Sequence, residues 1–144
     1  MDKESLMQPV NFVDVQPGST LPSFTCEPIS RLALALYCGA SGDHNPIHVD
    51  LDFARKAGMP DVFAHGMLSM AYLGRLLTAW VPQQSIRQFS VRFVAITQLG
   101  DAVTCSGTVV EKDEATGTVR LEITTRNQAG EIKLSGEAIV ALGA

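Results

Sequence analysis

Cysteine is scarce here, and its spacing offers no partners. Cys26, Cys38 and Cys105 are odd in number, and no two stand as a CxxC pair. That argues against a disulfide framework or a zinc knuckle and fits a reducing compartment, the cytoplasm. Excess charge of either sign is missing too, the formal net charge being −4. Such a balance provides no electrostatic footprint for nucleic acid or for an anionic membrane surface. The longest apolar stretch, 66–81, carries Arg75 in its middle. Crossing a bilayer takes about 20 apolar residues, so no membrane span is expected. The opening segment Met1-Asp2-Lys3-Glu4-Ser5 is polar and lacks the apolar core of a signal peptide. Internal repeats and low-complexity runs are absent as well.

What is present is an ordinary globular balance. Apolar residues make up 46% of the 144 positions and charged residues 18%, enough to bury one core without staples. The reading is a tail over residues 1–8 and a single domain over 9–144. A short strand is expected within 19–27, confined to an edge by Pro22. Ser30 caps a predicted helix ending near Gly39, with Leu32, Leu36 and Gly39 on one face. Asp50 opens a shorter helix closed by Gly58. The stretch 67–81 is apolar nearly all round, which predicts an enclosed helix. After Pro82 the period changes to two. Phe89, Val91 and Phe93 form one apolar face; Cys105, Gly107 and Val109 a second; Val119, Leu121 and Ile123 a third; Ile132, Leu134 and Gly136 a fourth. Four strands in sequence predict an antiparallel meander wrapped around the helix, an α+β fold. The edges of such a sheet need cover, and a dimer that continues the sheet supplies it.

The chemistry concentrates in Ser41-Gly42-Asp43-His44-Asn45-Pro46-Ile47-His48. Pro46 keeps this segment out of a helix. A carboxylate and an imidazole five residues apart on a stiff turn can converge on one water molecule. Hydration of a conjugated double bond needs such a pair: one group takes the water's proton and another supplies a proton to the α-carbon. Imidazole, titrating near neutrality, suits either task. Asp and Asn also make good loops by bonding their own backbone, so spacing alone leaves a purely structural loop open. A second segment, Ala64-His65-Gly66-Met67, precedes the enclosed helix. Unpaired amides at a helix start can stabilise an oxyanion, and Gly66 would let a carbonyl approach closely; His65 and Gly66 could equally be a plain helix cap. Metal binding by Asp43, His44, His48 and His65 ranks low, since Pro46 spoils the helical spacing of the two nearer histidines. The cysteines read as inert packing residues.

Taken together, the segment 37–50, then Phe53-Ala54, then Ala64-His65-Gly66-Met67-Leu68 resemble the MaoC-like (R)-specific enoyl-CoA hydratase family. The similarity runs from about Phe12 to the C-terminus. The stretch 43–94 also resembles the catalytic subunit of type II (3R)-hydroxyacyl-ACP dehydratases. The resemblance implies a single hot-dog fold, a sheet wrapped around a long central helix. It implies a hydro-lyase acting on enoyl and 3-hydroxyacyl thioesters of CoA or ACP, with no metal and no redox cofactor. By the matching motif, Asp43 and His48 would hold the water, Asn45 would orient the loop, and the Gly66 amide would polarise the thioester carbonyl. His65, Ser69, Arg87 and Arg92 are candidate substrate contacts, and Arg31 and Lys56 are further candidates for CoA phosphates. Some family members place a serine slightly further into the helix, in a register that Ser69 does not match. A homodimer or a heterodimer with a second hot-dog chain is expected. A thioesterase on the same fold and a non-catalytic acyl-thioester-binding subunit are the rival readings.

Overall fold

The computed structural model describes residues 8–143; most of the expected tail, 1–7, lies outside them. Ser30 caps α1 (Arg31–Ser41), its Oγ accepting the Ala33 amide at 3.0 Å. The helix runs two residues beyond Gly39 and stops at Gly42, whose φ of 76° is the left-handed conformation glycine adopts without penalty. Leu32 and Leu36 do share a face, but it is the open one: they are 68% and 65% exposed, and Leu34 points inward instead. Asp50 caps α2 (Leu51–Lys56) through the Phe53 amide. Then comes α3 (Gly66–Thr78), which buries Leu68, Ser69, Leu73, Leu76 and Leu77. Enclosure of α3 is incomplete in the single chain. Met67, Ala71, Arg75 and Thr78 form an exposed stripe, because the sheet covers only one side.

Five antiparallel strands make the sheet: β1 (Phe24–Thr25), β2 (Ile86–Phe93), β3 (Thr104–Asp113), β4 (Thr118–Arg126) and β5 (Ile132–Ala141). Their order is β1-β3-β4-β5-β2. The expected four-strand meander is therefore corrected: β3, β4 and β5 are a meander, while β2 pairs with β5 and the chain crosses the sheet through 94–103 to reach β3. Alternation marks a strand but does not name its neighbour. The sheet packs on α3 through the inward residues Cys105, Val109, Val119, Leu121 and Ile123, all buried as their period required. This is the hot-dog arrangement of sheet around helix.

Two residues leave the expected pattern, and both bear on the site. Phe93, expected on the core face of β2, is 56% exposed and lies against Gly66. Lys133, expected on the wet face of β5, is only 4% exposed. It is the extra residue of a bulge, since Thr125 pairs with Leu134 while Arg126 pairs with Ile132. The bulge turns its ammonium toward Asp101, 3.8 Å away. Asp101 also accepts the Gln98 amide and the side-chain amides of Asn127 and Gln128. Without Asp101, the buried Lys133 ammonium keeps only Glu131, an exposed carboxylate 3.9 Å away. Asp101→Ala should therefore destabilise the fold by about 3–5 kcal/mol, read as a lower urea midpoint; a loss typical of an exposed pair would show that water reaches Lys133.

Candidate active site

The turn after α1 is built from its own polar side chains. Ser41 Oγ accepts the Asp43 amide at 3.1 Å, Asp43 Oδ1 accepts the Asn45 amide at 3.2 Å, and Asn45 Oδ1 accepts the Ile47 amide at 3.1 Å. Pro46–His48 forms a single 3-10 turn. This ladder of bonds, each spanning two residues, holds a non-helical segment in a defined shape. It leaves Asp43 exposed and turns His48 inward, at 8% exposure.

Two imidazoles tie this turn to the segment that leads into α3. His48 Nδ1 lies 2.7 Å from the Phe63 carbonyl oxygen, and His65 Nε2 lies 3.3 Å from the Asp43 carbonyl oxygen. A carbonyl only accepts, so each of these nitrogens carries its proton and donates. In neutral rings the lone pairs then sit on His48 Nε2 and His65 Nδ1. The rings stack, with centroids 3.9 Å apart and planes 26° apart. Tyr37 meets His65 edge-on at 4.7 Å, and Phe63 meets His48 edge-on at 5.1 Å. Burial lowers the pKa of His65, and the neighbouring His48 adds to the effect. Burial also raises the pKa of Tyr37, with Asp43 reinforcing it, so both groups stay neutral near neutral pH.

Beside this cluster opens a cavity of about 460 Å³, lined by Asp43, Phe63, Ala64, Gly66, Met67, Phe93, Ile96 and Leu134 among others. Its wall is largely apolar, with a carboxylate and a helix start as its polar features. Asp43 and Gly66 share the cavity. His48 stands behind the wall, against Phe63. Asp43, His48 and His65 nonetheless converge, each offering an atom within 4.8 Å of the others. These three are also the residues that could hold a metal ion; His44 is exposed and outside the cluster. His65 and Ser69 are sealed at 1% and 0% exposure and line no part of the cavity. Arg92 faces the opposite groove of the sheet with Arg120 and Glu137, and Arg87 donates to the Gln84 carbonyl. Arg31 is engaged in a two-pronged pair with Asp61. Sequence reasoning missed the Phe63 carbonyl, Tyr37 and Phe93. A carbonyl has no signature in residue type, Phe93 read as part of an apolar strand face, and Tyr37 stood only within the segment of resemblance.

Known proteins resemble this chain in sequence and in fold. A family model described as a MaoC like domain matches residues 14–130. An (R)-specific enoyl-CoA hydratase of Rhodospirillum rubrum is 32% identical over 136 residues, covering 92% of each chain. The (R)-specific enoyl-CoA hydratase of Aeromonas caviae is 30% identical over 113 residues, 76% of this chain and 83% of that one. Among solved structures, the unliganded R-hydratase PhaJ1 of Pseudomonas aeruginosa matches with a TM-score of 0.82 at 29% identity, covering 94% of this chain and 88% of that one. The chain belongs to the MaoC-like family of hot-dog proteins. It is an enzyme of the hydratase/dehydratase kind.

The lowered His65 pKa has a definite sign in stability. The folded state binds fewer protons than the unfolded state, whose histidine titrates near 6.5. Stability is thus lost as pH falls below about 6.5. Between about pH 7 and pH 5, Tm should fall more steeply for the wild type than for His65→Gln, which keeps an amide donor for the Asp43 carbonyl. Parallel Tm profiles would show that His65 titrates alike in both states.

Proposed function

We propose that this protein interconverts trans-2-enoyl and (3R)-hydroxyacyl thioesters, carried on CoA or ACP, by acid–base catalysis on a water held between Asp43 and His48. The observation that carries the reading is their convergence beside an apolar cavity that also contains the start of α3. In the hydration direction, the water oxygen attacks the β-carbon as its proton passes to the pair. His48 suits the acceptor's part, because its Nδ1 proton is committed to Phe63 and its Nε2 lone pair is free of that bond. As the bond to oxygen forms, negative charge moves through the conjugated system to the thioester oxygen. Helix-start amides at Gly66 can stabilise that charge. A proton delivered to the α-carbon completes the addition, and the reverse sequence eliminates water. Asn45 supports the chemistry indirectly, by capping the turn that presents both groups.

The apolar lining suits an acyl chain, and Phe93 against Gly66 narrows the approach to the helix start. A Cβ at residue 66 would collide with that ring, so Gly66→Ala should move Phe93 and raise KM. We further propose that a second hot-dog chain, identical or related, covers β2, which the strand order leaves as an edge. Phe93, Val94, Ile96 and Met67 are exposed apolar residues near that edge. Among the described residues no helix is long and apolar enough to cross a membrane, and the three cysteines are free; a cytoplasmic location is the reading we favour.

The decisive experiment follows enoyl absorbance with enoyl-CoAs of short, medium and long chain and determines product chirality. Asp43→Asn and His48→Ala should each lower kcat by roughly 10²–10⁴-fold while leaving the fold intact. Activity within a few-fold of wild type in both variants would remove the assignment. Free thiol release without loss of the enoyl signal would indicate a thioesterase, and activity lost to a chelator and restored by zinc would transfer the cluster to metal chemistry.

A further inference from the structure

Two buried polar atoms close to the acid–base pair have no hydrogen-bond partner among the described residues: His65 Nδ1 and Ser69 Oγ. Both residues are sealed from solvent and from the cavity, at 1% and 0% exposure. That separates them from substrate. Leaving a buried donor and a buried acceptor both unpaired is costly, and native interiors avoid it. Chemistry dictates how these two can satisfy each other. His65 Nε2 donates to the Asp43 carbonyl, so in the neutral ring Nδ1 only accepts. The Ser69 hydroxyl can donate. It sits four residues after His65, in the first turn of the helix that His65 caps, and both side chains are buried at that helix start. A rotation about its single χ1 bond, or one bridging water, would close the pair.

We propose that Ser69 and His65 are positioning residues: the Ser69 hydroxyl donates to His65 Nδ1, fixes the ring proton on Nε2, and through it holds the Asp43 main chain in place. The groups facing His65 are His48, stacked on it, Tyr37 at its edge and the Asp43 carbonyl. With the proton on Nδ1 instead, the Nε2 lone pair would face the carbonyl lone pairs of Asp43 and repel them. Ser69 thus selects the tautomer that draws the turn in. The kinetic consequence rests on the hydro-lyase reading; the structural consequence does not.

Ser69→Ala removes one oxygen from a helical position and should fold. Nitrogen-15 NMR of histidine-labelled protein should show His65 protonated on Nε2 and bare on Nδ1 in the wild type, and a mixture of tautomers in the variant. Tm should fall by about 2–8 °C, because the acceptor loses its donor. With a trans-2-enoyl-CoA as probe, kcat should drop about tenfold while KM stays within about twofold, as expected when a reacting group is displaced. An unchanged tautomer with an equal or higher Tm would overturn the relay, since deleting an unpaired buried hydroxyl relieves the fold. If the wild type hydrates no enoyl thioester, the proposed function fails while the NMR and Tm results still decide the relay.

Discussion

Two crossed hydrogen bonds hold the site together. His48, on the turn after α1, donates to the carbonyl of Phe63; His65, at the head of α3, donates back to the carbonyl of Asp43. Each segment thus supplies an imidazole and receives one. Neither segment is regular structure, so neither has a ladder of its own to satisfy its carbonyls. The exchange satisfies one carbonyl in each, stacks the two rings face to face at 3.9 Å, and brings Asp43 within reach of His48. A single bond between the segments would leave a hinge; two bonds with opposite sense, closed by a ring stack, do not.

The clasp is anchored to the sheet through the cavity wall. The Ala64 amide donates to the Thr97 carbonyl at 3.0 Å, and Phe63 bridges Gln98. A few residues back, the amides of Val94 and Ala95 both donate to the carbonyl of Lys133. Lys133 is the bulged residue of β5, and its ammonium lies over Asp101, which in turn accepts the Gln98 amide. One irregularity in β5 therefore fixes both ends of the crossing segment that lines the cavity. Bulges that re-aim a chain next to a working site are a recurrent device. Here the bulge also accounts for a buried lysine that has no other evident purpose.

Much of this was legible in the residues. Ser30 and Asp50 as caps, Gly58 as a stop, and the alternation of β3 and β4 all follow from local chemistry, which residue type reports directly; the end of α1 was read near Gly39 and falls at Gly42. The meeting of Asp43 with His48, the Asn45 cap and the helix start at Gly66 were legible because a stiffened polar turn and a helix start leave a sequence pattern. The failures share a cause. The β2–β5 pairing, the exposed stripe on α3 and the outward Leu32 and Leu36 depend on what lies opposite, and alternation or helical period says nothing of that. Lys133 misled because a bulge shifts the phase of a strand by one residue without altering its composition. His65 was visible as a helix cap, a low-ranked metal ligand and a candidate substrate contact. Its bond to a main-chain carbonyl twenty-two residues away has no counterpart in side-chain type.

The stacked histidines also constrain which charges the site can carry. An imidazolium at His65 would lie 3.9 Å from the His48 ring, under a tyrosine edge and away from water. Burial and that neighbour both push His65 toward the neutral form. A neutral His65 places no positive charge against the His48 ring stacked on it. Asp43, on the open side of the cluster, sets a carboxylate oxygen within 4.8 Å of both imidazoles. Burying a second imidazole behind the first does two things at once: it fixes the turn through the Asp43 carbonyl, and it keeps that second ring in its neutral form.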